Sequence, residues 1–287
     1  VASASASNHT TVTIAPGVEM PLLNFGVSNR SLFIELGGRG LDTAWVYGDL
    51  DQAETGEAVR NSSLQRSELF VTTKIPCCPS SFITCNKSMG HEYADKHIQH
   101  DFDILGLDYV DLMLMHWPCE HFEDTLFVYQ RMEALLKKKK TRAIGVSNFN
   151  ATLLQALDSK VSVKPVVNQV GFSVAGHASH ETPWGRDDVS HAKAKELGIT
   201  TMAYSPLGGV TRVDVLHNPD VLAVAAAHNR SAAQVALRWL VQQGIAPVTS
   251  SNSANHDVGD LQVFDFELTD AEVSRLALVS QENQIIV

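Results

Sequence analysis

The stretch Leu41–Asp49, LDTAWVYGD, starts like a buried strand yet carries Asp42 and Tyr47 five residues apart. Burying a carboxylate is costly unless a cation pairs with it. Lys74, inside the otherwise apolar run LFVTTKIP, is the partner that Asp42 requires, and His116 ends the apolar run DLMLMHWP. Other apolar runs also end in polar groups: Ser147 and Asn148 in AIGVSNF, Asn168 and Gln169 in VVNQV, and Tyr204 and Ser205 in AYSPLG. An acid, a lysine, a phenol and an imidazole together can move a proton. A free phenol, near pKa 10, is a reluctant donor at neutral pH. An ammonium about 4 Å away favours the phenolate by roughly 4 kcal/mol at an effective dielectric of about 20, equivalent to about three pKa units. Asp42 would keep Lys74 charged, and Lys74 would act on Tyr47.

The elements that must bring these groups together alternate along the chain. Strands are predicted over Leu22–Val27 (a first strand or a plug), Gly40–Ala44, Leu69–Ile75, Tyr109–Met115, Ala143–Ser147, Val166–Gln169, Thr200–Tyr204 and Ile245–Val248. Helical patterns fall near Asn29–Leu36, Gln52–Arg60, Glu92–Leu105, Thr125–Lys138, Ala151–Leu157, Asp187–Leu197, Ser231–Gln243 and Thr269–Leu278. Repeated βα units imply a parallel sheet covered on both faces. Eight of them in 287 residues predict one (β/α)8 barrel over residues 1–287, with residues 1–12 a flexible N-terminal segment. In such a barrel the polar strand ends share one mouth, at the carboxyl edge.

The net charge of −10 and the lack of a basic stripe argue against a nucleic-acid partner. The run Lys137–Lys140 reads as a helix end. No apolar run approaches the roughly 18 residues of a membrane-spanning helix. The spacing of His177, His180 and His191 fits no metal-ligand set. The start VASASAS lacks an initiating methionine and looks like what is left after removal of a targeting segment. Six Asn-x-Ser/Thr sequons occur, at Asn8, Asn29, Asn61, Asn86, Asn150 and Asn229, where 13 asparagines would give roughly two by chance. Cys77, Cys78, Cys85 and Cys119 form an even set able to make one or two bridges. These features together point to a glycoprotein of the secretory pathway or the extracellular space, with the cytoplasm as the alternative.

The motifs LDTAWVYGD, LFVTTKIP, LGLDYVDLMLMHWP, RAIGVSNF and AYSPLG occur in the order and spacing of the aldo-keto reductases, and the chain resembles that family from GVEMPLLNFG to VFDFELTDAEV. The resemblance implies a catalytic tetrad of Asp42, Tyr47, Lys74 and His116, and reduction of aldehydes or ketones by hydride transfer from NADP(H) or NAD(H). Tyr47 would give the proton, and His116 would hold the substrate oxygen in line with the hydride donor. It further implies nicotinamide contacts at Ser147, Asn148 and Gln169, a stacking ring at Tyr204, and Ser205 and Leu207 near the pyrophosphate.

Three departures stand out. Where relatives have a lysine and an arginine for the 2′-phosphate of NADP, the segment VTSSNSANH has Ser250 and His256, with Ser251 and Ser253 as remaining hydroxyl donors. Val27-Ser28-Asn29 replaces an aromatic after the first strand, predicting a wider and more polar pocket. Only a short stretch follows the last predicted helix, where relatives carry a long tail, while the loop GFSVAGHASHETPWGRDD is a candidate cover for the mouth. The alternative function is a non-catalytic or weakly active protein of this fold, used as a binding or structural component.

Overall fold

The computed structural model describes residues 10–78, 92–177, 189–209 and 213–283. The chain opens with an antiparallel hairpin, β1 (Thr11–Ala15) and β2 (Val18–Pro21), turning at Gly17. Eight parallel strands then follow in chain order: β3 (Asn24–Phe25), β4 (Gly40–Asp42), β5 (Phe70–Ile75), β6 (Val110–Met115), β7 (Thr141–Ser147), β8 (Val167–Ser173), β10 (Thr200–Tyr204) and β11 (Ala246–Thr249). Each pairs with the next, and β11 pairs with β3, so the sheet closes into a (β/α)8 barrel. The short β9 (Gly176–His177) folds back antiparallel on β8.

Side chains alternate across a strand, and that alternation sorts the sequence. Phe70, Leu112, Leu114, Ala143, Val167, Met202, Ala246 and Val248 face inward and pack with Ile14, Val18 and Met20 of the hairpin. The hairpin therefore plugs the barrel floor, and Arg142 fixes its turn by donating to the Gly17 carbonyl at 2.9 Å. Within the expected Leu22–Val27, Asn24–Phe25 form the first barrel strand, while Leu22 packs with the hairpin and donates to the Thr10 carbonyl at 2.8 Å. Thr11 and Val12, expected in a flexible segment, are strand residues because they pair with Pro21 and Met20. Residues 1–9 lie outside the described residues.

The outward positions Val71, Met113, Ile144 and Val146 pack under the helices. These are α1 (Arg30–Glu35), α2 (Asp49–Asn61), α3 (Glu92–Leu105), α4 (Phe122–Lys137), α5 (Ala151–Asp158), α6 (Ser190–Glu196), α7 (Pro219–His228), α8 (Ala232–Val241), α9 (Ala254–Leu261) and α10 (Asp270–Asn283). Helices α7 and α9 are additions to the sequence-based set. Asn218 caps α7 by accepting from Asp220 N and Val221 N, with Pro219 in the first turn. None of the described helices is long and apolar enough to cross a membrane.

Candidate active site

The inward parity that fills the floor with apolar side chains carries polar ones at the other end. Lys74 shares the parity of Phe70, and His116 follows Leu112 and Leu114. Gln169 follows Val167, Ser147 follows Ala143, and Tyr204 follows Met202. Asn168 has the opposite parity and makes a strand-to-loop tie, donating to the Phe149 carbonyl at 2.9 Å.

Lys74 is fully buried. Its ammonium has three N–H groups, and all three are engaged: with Asp42 Oδ1, with the Thr43 carbonyl at 3.0 Å and with the Tyr47 hydroxyl at 3.3 Å. Burial alone would lower the lysine pKa. The charges and hydrogen bonds of Asp42 and Tyr47 outweigh it, so the net shift is upward and the charge stays. The second Asp42 oxygen accepts from Gln169 Nε2 at 2.8 Å, so both carboxylate oxygens are matched in a dry place.

Tyr47 sits in the 3-10 turn Trp45–Tyr47 and is 40 % exposed, facing the mouth while its oxygen rests on Lys74. Its turn is braced from behind. Trp45 stacks on His97 of α3 at 4.1 Å between ring centroids, and Asp49 meets His100 at 2.8 Å. Thr43 donates to Asp51 at 2.7 Å, and Arg30 pairs with Asp51 through 2.8 and 2.9 Å contacts, both partners buried. His97 is pushed down to about 4, first by burial and then by His100, so the ring stacked on Trp45 is uncharged at neutral pH.

His116 stands edge-on to Tyr47, with centroids 5.8 Å apart. Burial first, then the Lys74 charge, holds its pKa well below the usual imidazole range, so it is neutral. Its buried Nδ1 meets no protein partner among the described residues. The His116 backbone N donates to the Ile75 carbonyl at 2.8 Å, and its own carbonyl accepts from Asn148 Nδ2 at 2.9 Å. Nearby, the Cys77–Cys119 disulfide joins the segments after β5 and β6, and Trp117 Nε1 donates to the Cys77 carbonyl at 3.2 Å. The ends bearing Lys74 and His116 are thus held together covalently. Cys78 is also disulfide-bonded, and Cys85 lies outside the described residues.

The groups expected at the nicotinamide end form one network. Ser147 Oγ donates to the Gln169 carbonyl at 2.7 Å, Asn148 Nδ2 reaches Ser147 Oγ at 3.2 Å, and the Tyr204 hydroxyl donates to Asn148 Oδ1 at 3.0 Å. Asn148 and Ser205 take left-handed backbone, φ 60° and 50°, which asparagine tolerates but which is a strained choice for serine, of the kind that clusters at functional sites. After Ser205 and Leu207 the chain turns so tightly that a Cβ on Gly209 would lie 2.9 Å from Ser205 Oγ. Ser250 and His256 are exposed, and Ser251 and Ser253 are half-buried. Ser28 ties the loop after β3 to this segment through the Ser251 carbonyl and Asn252 Oδ1. Behind it lie two buried acids of α9. Asp260 is pushed up to about 6 by burial, against a Thr249 hydrogen bond, with Asp257 raising and His256 lowering it. Burial also raises Asp257, against Ser251 and His256.

A groove of about 490 Å³ lined by Val27, Ser28, Asn29, Glu54, Asn61 and Asn252 lies beside the mouth and includes no member of the tetrad. Residues 178–188, with His180 and most of the loop expected as a cover, lie outside the described residues. His191 Nδ1 contacts Thr201 Oγ1 at 2.9 Å on the barrel's outer side.

One buried group escaped the sequence reading. Asp101 of α3 is fully buried, accepts from Thr73 Oγ1 at 3.2 Å, and has its second oxygen, Oδ2, without a hydrogen-bond partner. Burial pushes it up to about 8, although Thr73 and the Lys74 charge pull the other way. At neutral pH it is protonated and does not compete with Asp42 for Lys74. The signal was present: Ala94, Ile98, Asp101 and Leu105 repeat at helical spacing, and an acid on that apolar stripe is out of place.

The parallel strands thus close into a (β/α)8 barrel whose carboxyl edge gathers Asp42, Tyr47, Lys74 and His116. The sequence profile described as "Aldo/keto reductase family" matches residues 30–280. Morphine 6-dehydrogenase of Pseudomonas putida is 35% identical over 284 residues, covering 92% of this chain and 89% of that protein. Among solved structures, an aldo-keto reductase from a Medee basin deep-sea metagenome library superposes with a TM-score of 0.81 at 30% identity, covering 94% of both chains. A Bombyx mori aldo-keto reductase in complex with NADP gives 0.77 at 29% identity, covering 94% of this chain and 92% of that one. The chain belongs to the aldo/keto reductase family and is an NAD(P)H-dependent oxidoreductase.

Proposed function

We propose that this protein reduces aldehydes or ketones to alcohols, with Tyr47 as proton donor and NADP(H), or less selectively NAD(H), as cofactor. One observation carries the reading: a single buried ammonium bonds the carboxylate of Asp42 and the hydroxyl of Tyr47 together. Lys74 donates to the phenol oxygen, so the phenolic proton is free to point toward the mouth. Neutral His116, edge-on to the phenol, can hold a carbonyl oxygen without adding a second charge beside Lys74. As the oxygen gains negative charge, Tyr47 releases its proton and Lys74 stabilises the resulting phenolate. Asp42 keeps the lysine charged throughout and is itself oriented by Gln169.

The residues present fit a nicotinamide cofactor. Ser147, Asn148 and Gln169 place a hydroxyl and two amides at adjoining strand ends, suited to a carboxamide, and Tyr204 offers a ring beside them. Gly209 takes left-handed backbone, φ 44°, which favours glycine, in the turn where a pyrophosphate would approach the main chain. When bound there, a reduced nicotinamide supplies the hydride. Ser250, Ser251, Ser253 and His256 would meet the adenosine end with hydroxyls, backbone N–H groups and one imidazole.

The test is fluorescence titration with NADPH and NADH, followed by the loss of nicotinamide absorbance with a panel of small aldehydes and ketones. Binding with carbonyl-dependent oxidation of the cofactor is expected. Tight binding with no turnover on any carbonyl would favour the binding-component alternative.

A further inference from the structure

The proposed reaction leaves the sequons and the cysteines unused. Asn29 is the exposed N-cap of α1, and its Oδ1 accepts from Leu32 N at 3.1 Å, so the cap does not need the amide nitrogen. Asn61 is the exposed last residue of α2. Asn229 is exposed where α7 ends, in left-handed backbone with φ 52° and ψ 45°, a conformation that asparagine tolerates better than most residues. Asn29 and Asn61 both line the 490 Å³ groove, which leaves open space for a sugar attached to either. Asn150 differs. It is half-buried and lies two residues beyond Asn148 at the mouth, although its Oδ1 caps α5 through Leu153 N at 2.9 Å just as Asn29 caps α1. Cys77 and Cys119 are bonded and buried, and no described cysteine is free. Disulfides form and persist where thiols are kept oxidised.

We infer that the chain matures in an oxidising secretory compartment, carries N-linked glycans on Asn29, Asn61 and Asn229, and leaves Asn150 bare. In each transfer the asparagine Nδ2 loses a proton and bonds to the anomeric carbon of an oligosaccharide. The bond from that carbon to a lipid diphosphate carrier breaks, and the diphosphate leaves. Ser31, Ser63 and Ser231 complete the three acceptor sequences. For the bridge, Cys77 and Cys119 each lose a proton and together give two electrons to a protein disulfide oxidant, which becomes a dithiol.

The experiment uses full-length protein from its native source. Peptide N-glycosidase digestion in heavy-oxygen water marks each asparagine that carried a glycan, and thiol alkylation before reduction counts free cysteines. Marks at Asn29, Asn61 and Asn229, none at Asn150, and alkylation of Cys77 and Cys119 only after reduction are expected. An intact mass equal to the bare polypeptide, or alkylation of Cys77 without reduction, would overturn the inference. A mark at Asn150 with Asn61 bare would overturn the assignment of sites.

Discussion

The two ends of the mouth treat charge in opposite ways. Around Lys74, a single cation sits fully buried with every proton matched, and its acid has both oxygens matched in turn. Around Ser250–His256, the segment proposed above to meet the adenosine end, the chain places hydroxyls and one imidazole in the open, with two buried carboxyls behind them. A buried ion pair cannot lose one partner without leaving the other uncompensated, whereas an exposed cation can be lost at small cost to the fold. On the proposed function, the chemical step is therefore bound to stability and the choice of cofactor is not.

The largest expected effect breaks the first end. Lys74→Met should strand Asp42 as an unpaired buried charge and destabilise the fold by about 3–5 kcal/mol. Turnover should fall by roughly three powers of ten or more, within the range that removal of acid catalysis and charge stabilisation allows. Thermal melts and single-turnover rates check both, and a loss of turnover with unchanged stability would break the link between them.

Asp101 comes next. Its folded-state pKa of about 8 lies above the ordinary carboxyl value of 3.8. Its contribution to stability is therefore complete below the unfolded pKa and is lost as pH rises toward 8. Asp101→Asn should flatten that decline, so the variant gains on the parent by about one to a few kcal/mol between about pH 4 and about pH 8. Denaturant midpoints across that window decide it, and parallel curves for the two proteins would show that Asp101 ionises normally.

The smaller effects sharpen the second end. Ser250→Lys with His256→Arg should improve NADPH binding relative to NADH by one to several powers of ten, since each charge-assisted hydrogen bond contributes about 1.5–3 kcal/mol. Asp260→Asn, which removes a carboxylate behind this segment, should tighten NADPH binding at about pH 7 by several-fold and leave NADH nearly unchanged. An equal change for both cofactors would show that Asp260 does not act on the phosphate.

Much of the first end was legible in the sequence because a charge inside an apolar run is conspicuous. Lys74 in FVTTKIP and His116 after DLMLM stand at inward parity, and the alternation alone sends them to the mouth. The floor was harder. Thr11–Pro21 alternates around a Pro-Gly turn, but its role as a plug depends on which apolar faces the closed barrel leaves open. Asp101 needed α3 to be docked on β5 before its acid met Thr73. The missing cations at Ser250 and His256 were readable, while the acids behind them became neighbours of that loop only through α9.

The central claim is that Tyr47 gives the proton under the control of Lys74, a pairing seen at 3.3 Å. Tyr47→Phe tests it most directly, with single-turnover carbonyl reduction and NADPH titration measured on the same preparation. The claim predicts loss of reduction by about 10²-fold or more, the usual span of general acid catalysis, with cofactor affinity nearly unchanged. Full turnover in the variant would contradict it.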